Sequence, residues 1–146
     1  MVNVIRKLSS DDIPFLVSAF VRAYADQNWN EVWTSDSATM RLNELVSSSQ
    51  TTGFVYLRNG VIIGCTICEI LSWCDGKHLE IKELFVDPDY QNQGVGHALL
   101  QKVDDYRISE GIAELYLWTN NLPSLIRFYK KMGFNIDSSE IRFSKK

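Results

Sequence analysis

This chain has no surplus of positive charge, no apolar stretch long enough to cross a bilayer, no even set of cysteines and no internal repeat. Lys and Arg number 15 against 18 Asp and Glu, for a net charge of −3. A nucleic-acid binder usually presents a basic face, so this balance argues against one. The longest uncharged apolar run, Val61 to Cys68, falls far short of the ~20 residues that a spanning helix needs. Residues Met1 to Ser10 contain no apolar leader. The 3 cysteines, Cys65, Cys68 and Cys74, are an odd count without that leader, which reads as reduced thiols in a cytoplasmic protein. With no linker and no low-complexity segment, residues 1–146 form one expected domain, and a chain 45% hydrophobic and 23% charged can bury a stable core unaided.

The hydrophobic pattern divides the chain into elements. Val2 to Leu8 reads as a strand. Ser9-Ser10-Asp11-Asp12 supplies capping residues and Pro14 suits a first helical turn, so a helix is expected over Asp11 to Asp26. Thr34-Ser35-Asp36 caps a second helix bearing Ala38, Leu42, Leu45 and Val46 on one face. Three strands follow, Gly53 to Leu57, Val61 to Trp73 and His78 to Val86, the first two joined by an Asn59-Gly60 turn. From Gly94 the period becomes 3.6 and runs to Gly111. Ile112 to Trp118 is a strand and Pro123 to Met132 a short helix. Phe134 to Ile136 and Glu140 to Phe143 read as final short strands. The class is α+β: a mixed, mostly antiparallel sheet of six to seven strands with about four helices on its faces.

Between a strand and a helix lies Gln91-Asn92-Gln93-Gly94-Val95-Gly96-His97. The first N–H groups of a helix have no intrahelical partner and sit at the positive end of its dipole, and glycines let backbone close on a phosphate. The loop lacks the Lys-Ser/Thr ending of a P-loop and the third glycine of a dinucleotide fingerprint. Alone, a Gly-x-Gly is also an ordinary turn. In its place after Val86-Asp87-Pro88 and before an amphipathic helix, Gln91-x-x-Gly94-x-Gly96 resembles motif A of the GCN5-related N-acetyltransferase (GNAT) superfamily. Phe128-Tyr129-Lys130-Lys131-Met132-Gly133-Phe134 resembles the end of that superfamily's motif B helix, at fitting separation. Asn28-Trp29-Asn30, Trp33-Thr34, Ala38 and Leu42 are loosely similar to aminoglycoside 6'-N-acetyltransferases.

The resemblance implies acetyl-CoA as acetyl donor, its pyrophosphate on the loop amides and its pantetheine beside the preceding strand. It implies coenzyme contacts from Phe85, Val86, Gln91, Asn92, Gln93, Gly94, Val95, Gly96, His97, Asn121 and Ser124. The family's Asn seven positions before the motif B Tyr is Leu122 here, with Asn121 one residue earlier. The first motif A position is Gln rather than Arg. The backbone N–H of Phe85 or Val86 is the expected oxyanion donor, beside a bulge that the family's strand carries.

An amine is mostly protonated at neutral pH, so the site must remove a proton, directly or through water, and return one to the departing thiolate. Alternation puts Leu79, Ile81, Glu83 and Phe85 on one strand face. A carboxylate among those apolar neighbours makes Glu83 the candidate base, in the place where the family often has one; a surface carboxylate paired with Lys82 or Lys77 is the other reading. The resemblance makes Tyr129 the candidate acid, against a core aromatic. Trp29, Trp33 and Trp73, with Asp26, Glu31, Glu69 and Asp75, could line a pocket for a cationic amine, or fill the core or a dimer contact. Cys65-x-x-Cys68 reads as buried free thiols, not a metal site. The expected activity is acetyl transfer to the primary amine of a small cationic or aminoglycoside-like acceptor by direct attack in a ternary complex. The alternatives are a peptide or protein amine as acceptor, a non-catalytic acyl-CoA sensor, and a nucleotide binder that shares only the loop. Exposed C-terminal strands could pair two copies as a homodimer.

Overall fold

The computed structural model describes residues 1–146. Strand β1 (Asn3–Lys7) leads through one 3-10 turn into α1 (Ile13–Tyr24), and α2 (Ser35–Val46) follows. A meander of β2 (Thr51–Arg58), β3 (Val61–Trp73) and β4 (Gly76–Val86) comes next, then α3 (Val95–Ser109), β5 (Glu114–Leu117) and α4 (Pro123–Lys131). The local signals act where expected. Ser9 and Thr34 each close a reciprocal capping box. Pro14 and Pro123 occupy first-turn positions, where a missing N–H removes no bond.

The five strands lie in the order β1-β2-β3-β4-β5, antiparallel except for the parallel pair β4–β5. Helices α1 and α2 cover one face, where Ile13, Leu16, Phe20 and Leu42 pack on Val55, Cys65, Ile67 and Phe85. Helix α3 covers the other, with Val95, Leu99 and Val103 on Phe54, Ile63, Leu79 and Ile81, and α4 adds Phe128 and Tyr129 at its margin. No helix is long and apolar enough to cross a membrane.

The sheet has five strands rather than the expected six to seven. Phe134 to Ile136 and Glu140 to Phe143 alternate in polarity, but alternation makes a strand only where a ladder partner accepts it. The tail makes no ladder with β5, and Ile136, Ile141 and Phe143 stay 66%, 74% and 87% exposed.

A second expectation is corrected inside β4. Its register on β3 runs Leu84↔Thr66 and Glu83↔Ile67, then Ile81↔Cys68 and Leu79↔Ile70. Lys82 is the extra residue, a β-bulge. The bulge inverts the alternation, so Leu79 and Ile81 face α3 while Glu83 and Phe85 face α1 and α2. The four residues do not share a face.

Gly53 marks the tightest backbone approach in the meander. A Cβ there would lie 2.5 Å from the Thr66 carbonyl oxygen, which is ladder backbone and cannot move aside, and 3.1 Å from Leu8. We expect Gly53→Ala to destabilise the fold by about 1–3 kcal/mol, read as a lowered urea midpoint at unchanged slope. An unchanged midpoint would show that β2 and β3 do not approach this closely.

Candidate active site

The parallel ladder between β4 and β5 ends at Ile81↔Leu117, just before the bulge. Beyond it the two strands part. The Asp87 N–H donates to the Ile63 carbonyl at 2.8 Å. In an antiparallel ladder bonded and non-bonded pairs alternate, so Phe85 and Glu83 bond to β3, and Leu84 and Val86 turn their N–H and C=O groups to the opened edge. Side chains find those carbonyls. Gln91 Nε2 donates to Val86 O at 3.1 Å, and the Tyr24 hydroxyl lies 3.4 Å from Leu84 O. Of the two expected oxyanion donors, Phe85 therefore commits its N–H to β3, whereas Val86 directs its own into the gap.

A cavity of about 330 Å³ occupies this gap on the α1–α2 side, walled by Tyr24, Trp29, Trp33, Leu117, Trp118 and Tyr129. Glu83 lies at its floor, 8% exposed. The Tyr24 hydroxyl donates to Glu83 Oε2 at 2.6 Å. Arg41 donates to Oε1 through Nε at 3.1 Å, with Nη2 also 3.1 Å away. Burial raises the Glu83 pKa above its ordinary value, opposed in part by the bond from Tyr24 and the charge of Arg41. Neither Lys82 nor Lys77 pairs with Glu83; Lys82 pairs with Glu80 at 3.2 Å. Tyr129 borders the same cavity, and burial pushes its phenol up to about 12.

The glycine loop lies at the far end of the opened edge. Gln91, Asn92, Gln93, Gly94 and His97 are exposed, Gly96 is half-buried and Val95 is buried under the sheet. Gly94 takes φ 81°, a left-handed conformation suited to glycine, and no side chain caps α3. The first helical bond runs from Ala98 N–H to Gly94 O, leaving the preceding amides without intrahelical partners. A Cβ on Gly96 would stand 3.5 Å from Phe128 and 3.8 Å from Val86, so the loop, β4 and α4 meet there. Exposed, uncapped amides at a helix N-terminus fit a diphosphate.

Other expected residues divide. Trp29 and Trp33 line the Glu83 cavity, and Trp33 donates to Glu31 at 2.8 Å. Trp73 does not join them: it is 64% exposed at the end of β3, stacked on His78, and lines a second cavity of about 1180 Å³ along β5, which meets the first at Leu117, Trp118, Thr119 and Tyr129. Asn121 lines that second cavity, and Ser124 lies 3.5 Å from Asn28. Cys65 and Cys68 sit in opposite cores, one on each sheet face, so the pair cannot hold one ion together. Tyr24 and Arg41 were not singled out in the sequence. Both belong to regular amphipathic helices, and only the tertiary fold brings them 59 and 42 residues along the chain to Glu83.

The profile of the acetyltransferase (GNAT) family matches residues 18–134. Among curated relatives, an uncharacterised N-acetyltransferase of Methanocaldococcus jannaschii is 29% identical over 136 residues, covering 89% of this chain but 59% of that longer protein. The [ribosomal protein bS18]-alanine N-acetyltransferase of Escherichia coli K12 is 29% identical over 138 residues, covering 92% of this chain and 82% of that one. Among solved structures, an aminoglycoside acetyltransferase from an uncultured soil metagenomic sample superposes with a TM-score of 0.76 at 20% identity, covering 99% and 95% of the two chains. That level of identity speaks for the fold alone.

The Glu83 environment makes a direct prediction. Tyr24 donates to the charged carboxylate, so Tyr24→Phe removes a bond that favours ionisation and moves the Glu83 pKa further up. Carboxyl-carbon NMR titration should show a midpoint above that of exposed glutamates in the parent and a higher one in the variant. A midpoint unmoved by the substitution would mean the hydroxyl does not stabilise the charge.

Proposed function

This chain belongs to the acetyltransferase (GNAT) family, and on that premise we propose that it moves an acetyl group from acetyl-CoA to the primary amine of a small acceptor by direct attack in a ternary complex. The observation that carries the reading is the convergence, at the bulge, of an unpaired strand edge and a buried carboxylate. The uncapped first turn of α3, with Gln91, Asn92, Gln93, Gly94, Val95, Gly96 and His97, would hold the diphosphate. The open edge at Leu84 and Val86 would hold the amide-rich arm. Bound there, the coenzyme supplies an acetyl thioester.

The chain's own groups then divide the chemistry. Glu83 accepts a proton from the acceptor ammonium, and its raised pKa brings it closer to that task than an ordinary carboxylate. The free amine attacks the carbonyl carbon, a C–N bond forms and the C–S bond breaks. The Val86 N–H donates to the carbonyl oxygen as negative charge gathers on it. Tyr129 donates its proton to the departing sulfur, and the second proton shed by the new amide nitrogen restores the phenol. With its pKa pushed up to about 12, the phenol holds that proton until the sulfur gains charge, so transfer and C–S cleavage are concerted. Trp29 and Trp33 flank the acceptor. A second reading, a peptide α-amine as acceptor, is favoured by the Escherichia coli relative, whose name assigns it an alanine of a ribosomal protein.

Two measurements test this. Gly94→Asp or Gly96→Asp places a carboxylate on the diphosphate site and should abolish coenzyme A binding in calorimetry; wild-type affinity would sink the assignment. Glu83→Gln should reduce thiol release at neutral pH by ~10²–10⁴-fold, and the deficit should shrink as pH nears the ~10.4 of a free amine. Parent activity should rise with pH through the elevated Glu83 titration, because the ionised form is the base. A pH-independent deficit in the variant would remove Glu83 from proton transfer, and coenzyme binding without turnover of any amine would support a sensor instead.

A further inference from the structure

The cavity above Glu83 is lined by charges of both signs. Its walls hold two carboxylates, Glu31 and Glu83, against two cations, Arg41 and Lys82. Three of these four already have partners within the protein. Glu31 accepts from Trp33, Lys82 pairs with Glu80, and Glu83 is bonded at both oxygens. Arg41 differs. Its Nε and Nη2 bracket Glu83 Oε1, while Nη1 donates to no protein acceptor, and the side chain is 37% exposed. One edge of the guanidinium faces the candidate base and the other is free beside it.

A guanidinium fork matches a carboxylate in plane and spacing, and in a partly desolvated cavity such a pair is stronger than a neutral hydrogen bond. An amine whose nitrogen reaches Glu83 and whose neighbouring carbon bears a carboxylate satisfies both partners at once. A polycation leaves the free edge of Arg41 without an acceptor. A cavity of about 330 Å³ holds one compact molecule. Its aromatic walls, Tyr24, Trp29, Trp33 and Trp118, offer an apolar face to whatever side chain the acceptor carries.

We propose that the acceptor is a free amino acid, its α-amine directed to Glu83 and its carboxylate held on the free edge of Arg41. This rests on the acetyl-transfer reading above and narrows it. The step balances as follows: the ammonium gives one proton to Glu83, nitrogen bonds the acetyl carbon as the C–S bond breaks, the departing sulfur takes the Tyr129 proton, and the second proton shed by nitrogen restores the Tyr129 phenol, giving an N-acetyl amino acid and coenzyme A.

The test is thiol release from acetyl-CoA with a panel of amino acids, each matched with its amide and its decarboxylated amine, and with spermidine as a polycation. For the best side chain, kcat/KM of the carboxylate form should exceed both matched partners by at least about tenfold, or ~1.4 kcal/mol. Arg41→Gln should collapse that ratio towards one, by raising KM for the carboxylate form much more than KM for the decarboxylated amine. Any change in kcat from the altered Glu83 environment would fall on all acceptors alike, so the ratio isolates the carboxylate contact. Calorimetric acetyl-CoA affinity at the parent level shows that the variant is folded, and Arg41→Lys, which keeps charge but loses the fork, should restore only part of the preference. Amides, decarboxylated amines or spermidine used as well as amino acids would overturn the proposal and leave acetyl transfer standing, as would a ratio unmoved in Arg41→Gln. Tight acetyl-CoA binding with no thiol release from any member of the panel would overturn both.

Discussion

One extra residue in one strand organises this molecule. Lys82 has no opposite number in β3, so β4 twists at that point and its side chains change faces. Upstream, Leu79 and Ile81 feed the core under α3; downstream, Glu83 and Phe85 turn to α1 and α2. The same bulge ends the parallel ladder, because β5 follows the strand's earlier direction only as far as Leu117. A regular β4 would bury Leu79, Ile81, Glu83 and Phe85 together, and its edge could stay zipped to β5. The bulge instead leaves two residues, Leu84 and Val86, with N–H groups facing the gap beside a buried carboxylate.

That carboxylate is held in a balance of opposing effects. Burial disfavours its charge, while the Tyr24 hydroxyl and the Arg41 guanidinium favour it. Without the two donors, the ionised form would carry the full penalty of an unpaired buried charge. Without burial, it would be an ordinary weak base. Tyr24 itself is wholly committed, a buried member of an aromatic group with Phe20, Trp29 and Phe85. The packing of α1 on the sheet therefore sets the geometry at Glu83, which ties the chemistry of the site to the core. Arg41 is only partly committed, and its free edge links the base to the choice of acceptor.

Much of this was legible in the chain. The capping signals at Ser9 and Thr34, the Asn59-Gly60 turn and the change of period at Gly94 are local, and each produced the element expected of it. Glu83 and Tyr129 were singled out by residue type and family pattern, and the fold places both at one cavity. What was missed depends on register and distance. The resemblance implies a bulge in β4, but the residues themselves read as a regular run, so the change of faces at Lys82 is not legible in them. Arg41 resembles any solvated residue of an amphipathic helix until the fold brings its side chain to Glu83 in β4. Trp73 has the chemistry of a pocket wall but lies at the far end of a 13-residue strand. The C-terminal segments have strand-like alternation and no ladder to join.

The central claim is that the bulge opens a strand edge whose free amides receive the coenzyme. Amide hydrogen exchange, followed residue by residue by NMR in the free protein and with acetyl-CoA, tests it most directly. Phe85, bonded to β3, should exchange slowly in both states, whereas Leu84 and Val86 should exchange fast in the free protein and slow sharply on binding. Slow exchange at all three without ligand, or no added protection at Leu84 and Val86 with it, would contradict the account.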